Sequence, residues 1–420
     1  MVHYFENRAP AAVPPPDQDR PGPGPIRFQP IRYSEPGVTA PNISNVNLVH
    51  LSDPKRLDLL ACDMQSGNVL RMKPYEPSPR FQVLAKLKCP CHTSIADLDG
   101  DGIKDILVAD LGEFRPRDSK LGRVIWLRGH RDGTYTPYTL LSGVGRVDDV
   151  EMADFDGDGR SDLVVAEFGH LKTGSILWLQ NKTTDRQHPT FVPHQLDNRA
   201  GTIHVPVSDL NHDGRPDFTA LISNEHEKVV AFLNQGGGRF VKKTIFSGSS
   251  PALGSDSIQL TRLNPAQKGA LYAAGDMFDT PVPRSIQGIY WLDNRGAYPY
   301  TPRKLTTMYG AMRAVAADVN KNNLLGIFAV SLTPDLSAWI KPSTLDSIVY
   351  LDQTAPGKFE RYALEKGSCN HATCDAGDIY GNGRIDLVTG NFNFGPTRHP
   401  TAVTLWRNLG RRPVAETARR

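Results

Sequence analysis

The chain has 420 residues, with 48 Lys plus Arg against 45 Asp plus Glu and a net charge of +3. That balance gives no electrostatic case for nucleic acid or an anionic membrane, and no apolar run approaches the ~20 residues of a membrane-spanning helix. The length would suit two or three ordinary domains, but one repeated unit accounts for nearly all of it.

Residues 1–27, with Pro14-Pro15-Pro16 and Pro21-Gly22-Pro23-Gly24-Pro25, read as a disordered Pro-rich segment without an export signal. A lone strand, Phe28 to Tyr33, follows. From there a unit of roughly 55 residues recurs, a period that marks propellers and other arrays. Its copies align at Asp58, Asp105, Asp162, Asp217, Gly269, Gly326 and Asp386. Each of the first six copies carries four strand-like segments; in the second copy they are His92 to Leu98, Asp105 to Asp110, Arg123 to Arg128 and Tyr135 to Leu141. Third strands recur as Val124-Ile125-Trp126-Leu127, Ile176-Leu177-Trp178-Leu179 and Ile289-Tyr290-Trp291-Leu292, and fourth strands start on aromatics such as Phe81, Phe191, Phe240, Tyr300 and Phe359. The last copy supplies only three strands, ending at Thr404-Leu405-Trp406, so the lone N-terminal strand is expected to complete it. Pairing the two termini would remove the exposed edges of an all-β array. The predicted fold is therefore all-β: a seven-bladed β-propeller of four-stranded antiparallel blades over 28–410, closed by an N-terminal strand, with a C-terminal tail at 411–420. Trp126, Trp178, Trp291 and Trp406 occupy regular places in their blades and are expected to fill the wedges between sheets rather than stack on a ligand.

Three copies place an acidic loop between strands one and two. It reads Asp97-Leu98-Asp99-Gly100-Asp101-Gly102-Ile103-Lys104-Asp105 in the first case and recurs from Asp154 to Asp162 and from Asp209 to Asp217. Oxygen ligands at alternate positions of a Gly-tightened turn suit calcium. The expected ligands are Asp97, Asp99, Asp101 and Asp105; Asp154, Asp156, Asp158 and Asp162; and Asp209, Asn211, Asp213 and Asp217. An EF-hand is excluded, because Val108 stands where the bidentate Glu would be and the flanks are strands. The loop at Asp378 has Tyr380 at its third position, and the loop at Asp318 meets Gly326 instead of a closing Asp, so weaker binding is expected there.

Asp-x-Asp-Gly-Asp-Gly followed by x-x-Asp-Leu-Val-Val resembles the FG-GAP and VCBS repeats of integrin α-subunit propeller heads, and is similar to some fungal lectins and bacterial secreted proteins. The resemblance spans about residues 28–410 and implies the propeller. It leaves function open, since the architecture hosts adhesion, sugar binding and lyase or dehydratase chemistry. The chain departs from the integrin pattern at Glu167-Phe168-Gly169-His170, where those heads have Gly-Ala-Pro. Calcium loops of modest affinity favour a secreted or periplasmic setting.

Propeller topology, by resemblance, makes strand one innermost, and residues just before strand one or just after strand two fall on the rim opposite the acidic loops. Five residues before the first loop Asp stand His92, Asp149, His204, Arg313 and Thr373. Loops after strand two add Glu113, Glu167, His170, Glu225, His226, Glu227, Asp276, Asp279 and Asn391, and His371 lies two residues before Thr373. Imidazoles and carboxylates gathered on one rim can hold a second divalent metal such as zinc, manganese or iron, or can work as general acid and base with Arg313 beside a developing anion. The expected catalytic set is His92, Asp149, His204, Glu167, His170, His226, Arg313 and His371. The expected ligand is a carbohydrate or keto-sugar derivative, and the expected chemistry is β-elimination. The alternative is a lectin-like or protein-interaction propeller without catalysis. Among the five cysteines, Cys62, Cys89, Cys91, Cys369 and Cys374, an exported setting favours a disulfide, most simply Cys369 to Cys374.

Overall fold

The computed structural model describes residues 24–185, 188–250, 253–275, 284–333, 344–393 and 399–412. The Pro-rich segment up to residue 23, Asp276, Asp279 and the tail from 413 lie outside the described residues. Among those described, no helix is long and apolar enough to cross a membrane.

Second strands have continuous apolar text, and that text becomes strands with no solvent face. Asp105–Asp110, Asp162–Glu167, Asp217–Ile222 and Gly326–Ser331 are buried at every position. Fourth strands alternate instead, as in Phe191–Asp197, because only one of their faces meets a neighbouring sheet. Hydrogen bonding sorts the strands into seven antiparallel sheets. In six, the order along the sheet follows the chain. The seventh takes its outer strand from the N-terminus. There Ile26–Ser34 pairs with Thr401–Arg411, Phe28 opposite Asn408 and Tyr33 opposite Val403. The protein is thus a seven-bladed propeller closed by its N-terminal strand. The four expected tryptophans, Trp126, Trp178, Trp291 and Trp406, are all buried.

Strand one of each blade touches strand one of both neighbours, in a closed cycle. These innermost strands are sheet edges, and their inward backbone groups need partners. Polar groups from the preceding blade supply them. Asn47 donates to the Thr93 carbonyl at 2.8 Å, and Ser94 to that of Val150 at 2.7 Å. Asp149 accepts from Val205 N–H at 2.9 Å, and Ser223 donates to the Ser255 carbonyl at 2.8 Å. Gln259 accepts from Ala316 N–H at 2.9 Å, Arg313 donates to the Cys374 carbonyl at 3.2 Å, and Asp375 accepts from Leu48 N–H at 2.8 Å. Every junction between blades therefore carries a polar staple. The staple at Val205 is needed because strand one of the fourth blade is interrupted, running Thr202–His204 and then Val207–Ser208 around Pro206, which has no N–H to give.

All five cysteines are free and buried, so the expected Cys369 to Cys374 disulfide is not formed. The two belong to separate apolar clusters. Cys369 packs with Tyr309 and Leu345, its sulfur 3.6 Å from the Ser347 hydroxyl, while Cys374 packs with Val315, Val330 and Leu387. Burial pushes the Cys374 thiol up to about 12.

Candidate functional site

One register position recurs around the channel. Opposite Cys62, Ala109, Ala166, Leu221, Ala273, Val330 and Gly390 of the second strands stand Asn45, His92, Asp149, His204, Ser257, Arg313 and Thr373. In every blade a register shift immediately precedes this residue, as between Pro90 and His92 or Val147 and Asp149. A bulge re-aims the side chain that follows it, and bulges recur beside active sites. Seven side chains are thereby presented at one level, at the rim end of the innermost strands.

Three of them form a cluster. His92 Nδ1 lies 2.8 Å from Asp149 Oδ1, and His204 Nδ1 lies 3.7 Å from Asp149 Oδ2. The two rings meet edge to face with centroids 5.8 Å apart. Asp149 is held from below by Val150 N–H, at 2.8 Å from Oδ1, in addition to Val205 N–H. Its side chain is 3 % exposed, against 13 % for His92 and 17 % for His204. Burial alone would raise the Asp149 carboxyl, but the two imidazoles beside it, His92 first, win and hold it well below the usual carboxylate range. For His92, burial pulls down, and the Asp149 charge together with Glu151 overcomes it, so its pKa is raised. For His204 burial prevails over the more distant Asp149, Arg313 adds to it, and the pKa is lowered.

Glu151, absent from the sequence-derived set, is the next inward residue on the Asp149 strand. One ligating atom each from His92, Asp149 and Glu151 lie within 4.8 Å of one another. Burial, then the neighbouring Asp149 charge, pushes the Glu151 carboxyl up to about 8. Strand alternation was the available signal, since residues two apart on strand one share a face.

Arg313 stands on the same ring and acts electrostatically on both imidazoles. The other expected residues are elsewhere. Glu167 ends its second strand and holds Gly145 N–H at 2.5 Å and the Ser175 hydroxyl. His371 is buried between Glu365, 2.6 Å from Nε2, and Asn391, 2.8 Å from Nδ1. His170 and His226 sit in strand-two loops, where burial and the charges of Arg199 and Lys228 lower the His226 pKa.

The acidic loops lie at the opposite end of strand one, about 16 Å away for a five-residue step from His92 to Asp97. Position one accepts the N–H groups four and five residues on: Asp97 from Asp101 and Gly102, Asp154 from Asp158 and Gly159, Asp209 from Asp213 and Gly214. The Asp318 and Asp378 loops fold the same way. Ligating atoms of Asp97, Asp99 and Asp101, and of Asp154, Asp156 and Asp162, lie within 4.8 Å of one another. Asp105, Asp162 and Asp217 also bind backbone N–H groups of Gly129, Asn181 and Asn234, and so pin the third strand. Asp158 and Asp213 are paired with Arg160 and Arg215.

Residues 97–165 match the family model of the FG-GAP-like repeat. The protein is a β-propeller carrying an FG-GAP-like repeat. That stretch runs from the first acidic loop to the second strand of the third blade, and so includes Asp149 and Glu151. Among curated proteins, no sequence matches the chain. Solved structures resemble it across its length. BBS1N in complex with ARL6DN shares 12 % identity, covers 91 % of this chain and 97 % of its own, and superposes with a TM-score of 0.52. Catalytically inactive virginiamycin B lyase from Staphylococcus aureus with quinupristin shares 10 % identity over 90 % of this chain and 99 % of its own, TM-score 0.55. The selenomethionine form of that lyase shares 12 % over 91 % and 100 %, TM-score 0.54. Identity at this level shows a common fold and carries no chemistry across.

Proposed function

We propose that the channel mouth binds a carbohydrate or keto-sugar derivative and catalyses β-elimination on it. The observation that carries this reading is the single ring level on which bulges place His92, Asp149, His204 and Arg313 together. His204, whose Nδ1 faces Asp149 Oδ2 at 3.7 Å, keeps Nε2 for the substrate and takes the proton from a carbon next to a carbonyl or carboxylate. The C–H electron pair becomes a C=C bond as the β-oxygen departs, and the same proton passes from His204 to that oxygen. The products are an unsaturated sugar and water or an alcohol, with His204 restored. Arg313 and His92 face the oxygen on which enolate charge develops. A lyase among the proteins sharing the fold agrees with this choice as analogy.

The acidic loops are proposed to bind calcium. What supports this is the gathering of ligating atoms from Asp97, Asp99 and Asp101 within 4.8 Å of one another, with Asp99 Oδ2 also ion-paired to Arg128 at 2.7 Å. Asp97, Asp99 and Asp101 would hold one ion, and Asp154, Asp156 and Asp162 another, stabilising corners far from the mouth. Sites of this type fill at millimolar calcium, which suits a secreted or periplasmic location.

Incubation with a panel of oxidised and uronic sugars, followed by ultraviolet absorbance of newly conjugated carbonyls, tests the reaction. His204→Ala is expected to lower the rate by about 10²-fold or more. A wild type without product, or a His204→Ala variant equal to it, replaces elimination by the lectin-like binding reading.

A further inference from the structure

We propose that the channel mouth holds one divalent transition-metal ion, ligated by His92, Asp149 and Glu151. The three come from the innermost strands of adjacent blades, and their ligating atoms lie within 4.8 Å of one another. Their positions are built rather than incidental. A bulge precedes both His92 and Asp149, Asp149 is anchored by Val150 and Val205 N–H groups, and Glu151 follows on the same face of its strand.

The charge pattern asks for a cation. Asp149 and Glu151 put two carboxyls side by side, and among the described residues no hydrogen bond reaches the Glu151 side chain. His92 Nδ1 is a buried polar atom without a properly directed hydrogen bond, although Asp149 is 2.8 Å away. Two ligand atoms at that separation suit adjacent positions around a common ion. Asp149 already meets two imidazoles and two backbone N–H groups, and a dication at the point it shares with Glu151 and His92 would add the partner that the Glu151 carboxyl lacks.

The donor set also selects the ion. Calcium and magnesium prefer cages of oxygen alone, whereas one imidazole with two carboxylates suits manganese, iron(II) or zinc. Three protein ligands leave positions open toward the mouth, where a substrate carbonyl or carboxylate oxygen can bind and be polarised. His204, on the far side of Asp149, stays available for proton transfer. The ion's part in catalysis rests on the elimination reading; its presence does not.

The test uses the whole protein, stripped of metal and returned to millimolar calcium so that the loops are filled. Manganese(II), zinc(II) and iron(II) are then titrated, with stoichiometry read by elemental analysis and manganese also by electron paramagnetic resonance. One transition ion per chain is expected, with Glu151→Gln binding about tenfold or more weakly at an unchanged melting temperature. No ion retained beyond calcium, or equal binding by Glu151→Gln, overturns the site. One ion bound with no product from any sugar supports the site and removes only the elimination reading. Product formed at full rate by protein shown to be free of transition metal overturns the ion's catalytic part.

Discussion

Asp149 illustrates how much one side chain carries in this molecule. Its two oxygens meet His92, His204, Val150 N–H and Val205 N–H, so a single carboxylate aligns two imidazoles and closes the junction between the third and fourth blades. Asp149→Ala removes the Val205 staple and leaves a buried donor unpaired. We expect a loss of about 1–3 kcal/mol, measured by denaturant unfolding, together with loss of any mouth activity. Gly238 makes the complementary point about space. Its φ is +69°, and a Cβ there would come within 2.0 Å of the Trp178 ring of the neighbouring blade. Gly238→Ala therefore combines left-handed strain with overpacking, and a destabilisation of about 2–4 kcal/mol is expected. A melting temperature within a degree of wild type would contradict that account.

Among the elements, loops do unequal work on the two rims. On the mouth side, the loop after the second strand of the second blade reaches the third blade through Asp118. One of its oxygens accepts Leu171, Lys172 and Thr173 N–H at 3.0, 2.7 and 2.9 Å. Those bonds, that of Lys172 first, lower its pKa from 3.8 to about 2. A folded-state pKa below the ordinary value means that the clamp stabilises fully above about pH 4 and is lost as pH falls toward 2. Asp118→Asn should flatten the melting-temperature profile over that window; a profile of unchanged slope would separate the clamp from acid stability. On the opposite rim, calcium should stabilise by linkage, by about 3 to 4 kcal/mol per site at a hundredfold to thousandfold excess over its dissociation constant. Asp99→Ala should remove one site's share of the calcium-dependent rise in melting temperature, and a variant keeping the whole rise would exclude that loop.

For the whole molecule, stability depends on closure. The strand Ile26–Ser34 covers an outer edge that Thr401–Arg411 would otherwise expose, and the innermost strands are stapled at each junction. Deleting residues 24–34 should leave an uncovered edge, a broader melting transition and concentration-dependent association. Light scattering and thermal melts check this; a monomer melting as sharply as wild type would show that closure is dispensable.

Much of this architecture was legible in the linear text, because a propeller blade is a local object. Four strands follow one another with short turns, so the repeat, the buried second strands and the N-terminal strand completing the last blade are all written in the order and spacing of residues. His92, Asp149, His204 and Arg313 were legible together for the same reason: equal distance from the acidic loop means equal depth along strand one. His170 and His226 lie in loops, whose paths no periodicity dictates, while Glu167 and His371 stand at the ends of their strands and bind local partners, so none of the four joins that cluster. Glu151 escaped notice because its meaning depends on His92 in the adjacent blade, 59 residues earlier in the chain. The cysteines were misread for a related reason, since closeness in sequence says nothing of which face of a blade a side chain takes. By itself, then, the sequence determined the blade count, the closure and the depth of each residue along its strand, which are matters of spacing. Only the tertiary structure decided which side chains meet across neighbouring blades, because bulges and inter-blade staples turn equal depth into contact.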